Sequence, residues 1–228
     1  MALEIGSGVL KDLAPTGKLR AGINYSNFVL ATRDPVSGEP RGIASDLARQ
    51  IAQRLKVAIE FVTFETAGIM ADAVTTDAWD IAFLANEPER ASEILFTPPY
   101  LKIEAGYLVP PGSGIRDFAG VDRPGIRIAI AVKSAYDLFL SRALQHATLV
   151  RAHGMPASYE LFLAQKLDVL AGIKPWLSMT VHKLPGSRIL DGHFMAVHQC
   201  IGTPRGRKAG ARFLEEFVRE FKENSDEK

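Results

Sequence analysis

The chain has 228 residues, 47% of them hydrophobic and 23% charged, and its 27 Lys and Arg against 26 Asp and Glu leave a formal net charge of +1. This is an ordinary globular composition, with no electrostatic bias toward nucleic acid and no stretch approaching the roughly 20 apolar residues of a membrane helix. One cysteine, Cys200, excludes an internal disulfide framework and a cysteine-rich zinc site.

Met1–Gly8 has neither the basic start nor the apolar core of a secretory leader. The protein is therefore expected to be cytoplasmic, or periplasmic if a leader has been removed. Lys18–Ile23 reads as a first strand, followed by a turn-rich loop over 33–40. Ile43, Leu47, Ile51 and Leu55 recur at helical spacing beside Ala44, Ala48 and Ala52, which predicts an amphipathic helix. Val57–Phe64 is β-branched and aromatic and reads as a second strand. Ala67–Val74 is a short helix and Trp79–Ala85 a third strand. Arg90–Glu93 begins a helical turn that Pro98-Pro99 stops.

A second unit starts near Tyr107, with strands at Ile126–Val132, Ala147–Arg151 and Leu167–Ile173. Helices at about Ala135–Leu144 and Ala157–Gln165 alternate with them, and Lys174-Pro175-Trp176 opens another. Phe194–Ile201 reads as a strand. Ala209, Phe213, Phe217 and Phe221, at steps of four, predict a final amphipathic helix packing on a core, with a frayed tail over Glu223–Lys228. Two α/β units in series leave this last helix over. If it returns to the first unit, Glu104–Val109 and Phe194–Ile201 become strands crossing between two hinged lobes, with a cleft between them.

Ligands of open α/β sheets bind beyond the carboxyl ends of the strands. In the first unit those ends carry Asn24, Tyr25, Asn27, Thr66, Ala85 and Asn86, with Arg90 a little further on. In the second they carry Lys133, Ser134 and Ala135, and Lys174 with Trp176. Ser134 followed by Asp137 has the shape of a capping box; it is either a plain helix cap or a place for a ligand carboxylate at the helix start. Arg90 either grips a carboxylate with two parallel hydrogen bonds or pairs with Glu87, Glu89 or Glu93. No Gly-x-Ser-x-Gly, Walker, Gly-x-Gly-x-x-Gly or His-Glu-x-x-His motif is present, so no catalytic residue is assigned. His193 and His198 stand at odd separation on one strand, a poor metal pair. Neither metal nor cofactor is expected, and Cys200 reads as a buried, inert thiol.

Gly17–Gly22, Gly42–Ala48, Trp79-Asp80-Ile81-Ala82, and Pro88-Glu89-Arg90 with Phe96-Thr97-Pro98-Pro99-Tyr100 occur in that order. In sequence and spacing they resemble successive signatures of the bacterial solute-binding protein family 3, the polar amino-acid-binding components of ABC importers. The resemblance runs from about Leu13 to Phe221. It implies the type II periplasmic binding protein fold: two lobes, each an open mixed sheet flanked by helices, joined by two crossing strands. Residues 1–103 with 196–228 would form lobe one and 104–195 an inserted lobe two. It also implies that Arg90 holds the ligand carboxylate and that Ser134-Ala135 supplies further donors.

The departures from the family carry their own expectation. Relatives place an ammonium-binding aspartate where Ile173 stands, next to Lys174, and a glycine where Lys133 stands. The site is thus expected to hold Arg90, Lys174 and Lys133 with no opposing acid. Burying an unpaired ammonium there would cost several kcal/mol. The expected ligand is a small carboxylate, the expected partner an ABC membrane permease, and the protein a monomer that binds no nucleic acid. The rival functions are a dehydratase of the cyclohexadienyl type, with Lys174 as acid, and a cytoplasmic small-molecule sensor.

Overall fold

In the computed structural model, which describes residues 5–226, apolar strands of the first unit are sandwiched between amphipathic helices. Helix α1 (Ser7–Leu13) precedes strand β1 (Lys18–Asn24), and a small hairpin, β2 (Thr32–Arg33) with β3 (Pro40–Arg41), leads to α2 (Ile43–Leu55). Gly42 opens α2 at φ 117°, and a Cβ there would stand 2.7 Å from the Leu30 carbonyl oxygen, so only glycine fits. Ala44, Ser45, Leu47, Ala48, Ile51, Ala52 and Leu55 form the buried face of α2, the predicted stripe except for Ile43, which is half-buried. Then come β4 (Ala58–Phe64), α3 (Ala67–Asp72), β5 (Ile81–Ala85), α4 (Pro88–Ala91), β6 (Ile94–Phe96) and β7 (Leu101–Val109).

The chain continues into the second unit with β8 (Arg127–Ala131), α5 (Ala135–Ala143), β9 (Thr148–Ala152), α6 (Met155–Ala164), β10 (Val169–Ile173), α7 (Lys174–Thr180) and β11 (Arg188–Ile189). Strand β12 (Met195–Pro204) carries it back, and α8 (Lys208–Asp226) ends it. The two units comprise Met1–Leu101 with His198–Lys228, and Lys102–Val197.

In the first unit the strand order is β4-β1-β5-β12, with β6 on β12. Strands β4, β1 and β5 are parallel, so Asn24, Phe64 and Ala85 emerge at one end, Asn24 directly opposite Phe64. The left-over helix belongs here: α8 buries Phe213, Leu214, Phe217 and Val218, and Asp12 of α1 accepts the Ala209 and Gly210 amides at 2.9 and 3.0 Å. That carboxylate caps the helix start. In the second unit the order is β7-β10-β8-β9; β10, β8 and β9 are parallel and β7 is antiparallel to β10.

Three expectations change. The helical turn predicted at Arg90–Glu93 is set earlier, at Pro88–Ala91, because Pro88 occupies the first turn, where its fixed φ suits a helix start. Ile94–Phe96 then forms a short strand that pairs with β12. The tail does not fray at Glu223: α8 continues to Asp226, and residues 227–228 lie outside the described residues.

Candidate ligand-binding residues at the strand ends

The carboxyl ends of β1, β4 and β5 hold most of the first unit's candidates, and most are engaged locally. Asn24 is buried, and its Oδ1 accepts the Ser26 hydroxyl at 2.6 Å. The Tyr25 amide donates to the Phe64 carbonyl at 3.1 Å, and its ring lies 4.8 Å below the Arg33 guanidinium. Burial raises the Tyr25 hydroxyl above its ordinary value, and among the described residues that hydroxyl has no hydrogen-bond partner. Asn27 Oδ1 accepts the Val29 amide at 3.2 Å, and Thr66 Oγ1 caps α3 by accepting the Ile69 amide at 3.3 Å. Asn86 is exposed, and its amide donates to the His198 carbonyl at 3.2 Å.

Arg90 is buried, only 6% exposed, and its Nη1 donates to the Ala85 carbonyl at 3.0 Å. Burial lowers its pKa to about 10, still a cation at neutral pH, while Glu87, Glu89 and Asp72 favour the charge. Two of the acids that the alternative reading named, Glu87 and Glu89, thus act on it. The guanidinium carries five donors in a fixed fork, and the bond to Ala85 ties it to the end of β5.

In the second unit Ser134 and Asp137 form the predicted cap. Ser134 Oγ accepts the Asp137 amide at 3.1 Å, and Asp137 Oδ2 accepts the Lys133 amide at 2.8 Å. Lys133 sits at φ 54°, in the left-handed region where relatives were expected to carry glycine. Asp137 is buried, and Arg151 Nε donates to its Oδ1 at 2.9 Å. The amides of Ala135 and Tyr136, at the first two helical positions, have no intrahelical acceptor. The start of α5 keeps donors, but its own acid already occupies part of it.

Lys174 departs most from expectation. Its Nζ donates to Glu104 Oε2 at 2.6 Å, and His193 Nδ1 stands 3.3 Å from Glu104 Oε1. The bond from Lys174 holds the Glu104 carboxyl below the usual range, and His193 adds to the effect. The expected cationic site without an opposing acid is therefore corrected: Arg90 faces Glu87, Glu89 and Asp72, and Lys174 faces Glu104. Trp176 is buried against β10, where a Cβ on Gly172 would fall 2.7 Å from its ring, so it packs the core of its unit. Sequence reading missed Glu104 and His193 because the signal lies in strand register. Ile173 pairs with Ala105 across β10 and β7, which brings Glu104 beside the first residue of α7.

Comparison with known proteins decides the family. The model of the bacterial extracellular solute-binding proteins, family 3, matches residues 19–227. The chain belongs to this family. A glutamine-binding protein of Geobacillus stearothermophilus is 22% identical over 208 residues, covering 89% of this chain and 79% of that protein. Among solved structures, holo ArgBP from T. maritima is similar with a TM-score of 0.77 at 19% identity, covering 93% of each chain. An ancestral arginine-binding protein bound to arginine gives 0.76 at 18% identity, over 92% of this chain and 94% of that one. An ancestral amino acid-binding protein described as a precursor of cyclohexadienyl dehydratase gives 0.75 at 19%, over 95% and 94%. The α/β architecture of this solute-binding protein is that of type II periplasmic binding proteins. No helix among its described residues is long and apolar enough to cross a membrane.

Proposed function

We propose that this family 3 protein is a passive binder of a small carboxylate without an α-ammonium group, serving an ABC importer on the periplasmic side of the membrane. The observation that carries the ligand class is the Lys174–Glu104 pair at the end of β10. Where relatives are expected to offer an acid to the ligand ammonium, this chain offers an acid already holding an ammonium of its own. A ligand bringing a second ammonium would have to displace Lys174. In the second unit Ser134, Ala135 and Lys174 contribute donors for the carboxylate. No chemical step is assigned to these residues.

A second reading has a specific observation behind it. Lys174 and Glu104 are 31% and 48% exposed at their side chains, and an exposed pair contributes only about 0–1 kcal/mol. An amino acid could therefore take Glu104 from Lys174 at small cost, and the relatives named for glutamine and arginine favour such a ligand. Mass spectrometry of the small molecules released when the purified protein is denatured separates the two. A retained carboxylic acid without an α-amino group supports the first reading, and a retained α-amino acid supports the second.

A further inference from the structure

A concavity lies in the second unit at the amino ends of β8 and β10. It encloses about 590 Å³ and is formed by the loop of residues 110–117, the segment leading into β8, and residues 166–168 leading into β10. Strands β8 and β10 are parallel, so this groove sits at their amino ends while Ser134 and Lys174 follow their carboxyl ends. Five strand residues, about 16 Å, separate the two places. A volume of this size suits a small molecule.

The groove's charges are unevenly committed. Asp117 Oδ1 accepts the Gly120 amide at 2.9 Å, and Asp168 Oδ2 accepts the Arg127 amide at 2.8 Å with the Arg127 guanidinium beside it at 3.8 Å. Each carboxylate thus has one oxygen engaged within the protein. Arg116, Arg123 and Lys166 are exposed, and among the described residues their side chains have no acceptor. The loop that presents Arg116 is held in place: Arg188 Nη2 donates to the Ser113 carbonyl at 3.1 Å and to that of Ile115, and the Ser113 amide donates to the Pro110 carbonyl at 3.2 Å. A fixed wall reduces the ordering cost of binding.

We propose that this groove is a second binding site, for a small organic anion. A phosphate or carboxylate group is held by Arg116, Arg123 and Lys166, and its apolar body rests against Ile115 and Ile126. Guanidinium groups match either oxyanion with paired hydrogen bonds, and the apolar lining selects against bare inorganic ions. The site does not depend on what the strand-end residues bind.

The test is a titration of the full-length ¹⁵N-labelled protein with phenyl phosphate and, separately, benzoate, followed by amide shifts. At least one probe should move the amides of Gly112, Gly114, Arg116 and Lys166 saturably while those of Ser134 and Lys174 stay put. The Arg116→Ala/Lys166→Ala double variant, altered only at exposed side chains, should keep its dispersed spectrum and bind about tenfold or more weakly. Which probe binds distinguishes a phosphate ligand from a carboxylate one. Groove amides unmoved by both probes, shifts centred on Ser134 and Lys174, or undiminished affinity in the double variant would overturn the proposal.

Discussion

Lys174 and Asp80 show how differently two ion pairs can act in one chain. The Lys174–Glu104 pair is solvated and adds little to folding; in the proposed function it withholds Glu104 from a ligand ammonium. Replacing Lys174 with Ala opens Glu104 Oε2 to a ligand, with His193 still 3.3 Å from Oε1. A carboxylate ligand should then bind roughly tenfold more weakly, through loss of a charge-assisted bond, while α-amino acids should gain affinity; calorimetry on the variant reads both. Glu104 also predicts a pH dependence. Its carboxyl is held below its ordinary value of about 4.3 in the folded chain. The stabilisation is therefore complete above that value and disappears as pH falls through the lower, folded one. Melting curves of wild type and Glu104→Gln should differ at neutral pH and converge as pH falls below the ordinary carboxylate range. Asp80, by contrast, is fully buried: Arg20 Nη2 donates to its Oδ1 at 2.8 Å and Nε to its Oδ2 at 3.1 Å, while Arg207 Nη1 donates to Oδ1 at 2.5 Å. Removing its charge leaves two guanidiniums underpaired, so Asp80→Ala should lose about 3–5 kcal/mol in urea unfolding.

Helix starts and strand ends determine what the candidate side chains bond to. At α5 the capping box was legible from Ser134 and Asp137 alone, because a cap is local chemistry. The ion pair of Asp137 with Arg151 was not, because it joins α5 to β9 through tertiary packing. Ser134→Ala should cost ~1 kcal/mol of stability through the cap, a loss that thermal unfolding measures independently of binding. At α7 the order reverses. Trp176 stood at a strand end like a ligand contact, yet Gly172 opens a space on β10 that its ring fills. Gly172→Ala should destabilise by about 1–3 kcal/mol through overpacking. The long amphipathic helices α2 and α8 were readable from their stripes. Strand β6 was not, because three residues carry no period, and β12 alone gives them a partner.

For the chain as a whole, four signatures in order pointed to family 3, and the family model bears this out across nearly the whole sequence. Neither strand register nor the reach of a side chain into a neighbouring strand could be read from spacing. That is why the pairing of Lys174 with Glu104 was missed and the local cation excess overestimated. The near-zero net charge is matched on a small scale, since Arg90 and Lys174 both face acids of their own unit. Isothermal titration of the wild-type protein with matched pairs, each a 2-oxo acid and the α-amino acid of the same skeleton, tests the ligand class most directly. Saturable heat from at least one 2-oxo acid, with its amino-acid counterpart silent, is the predicted result. Tight binding of glutamine or arginine, with every 2-oxo acid silent, would contradict it.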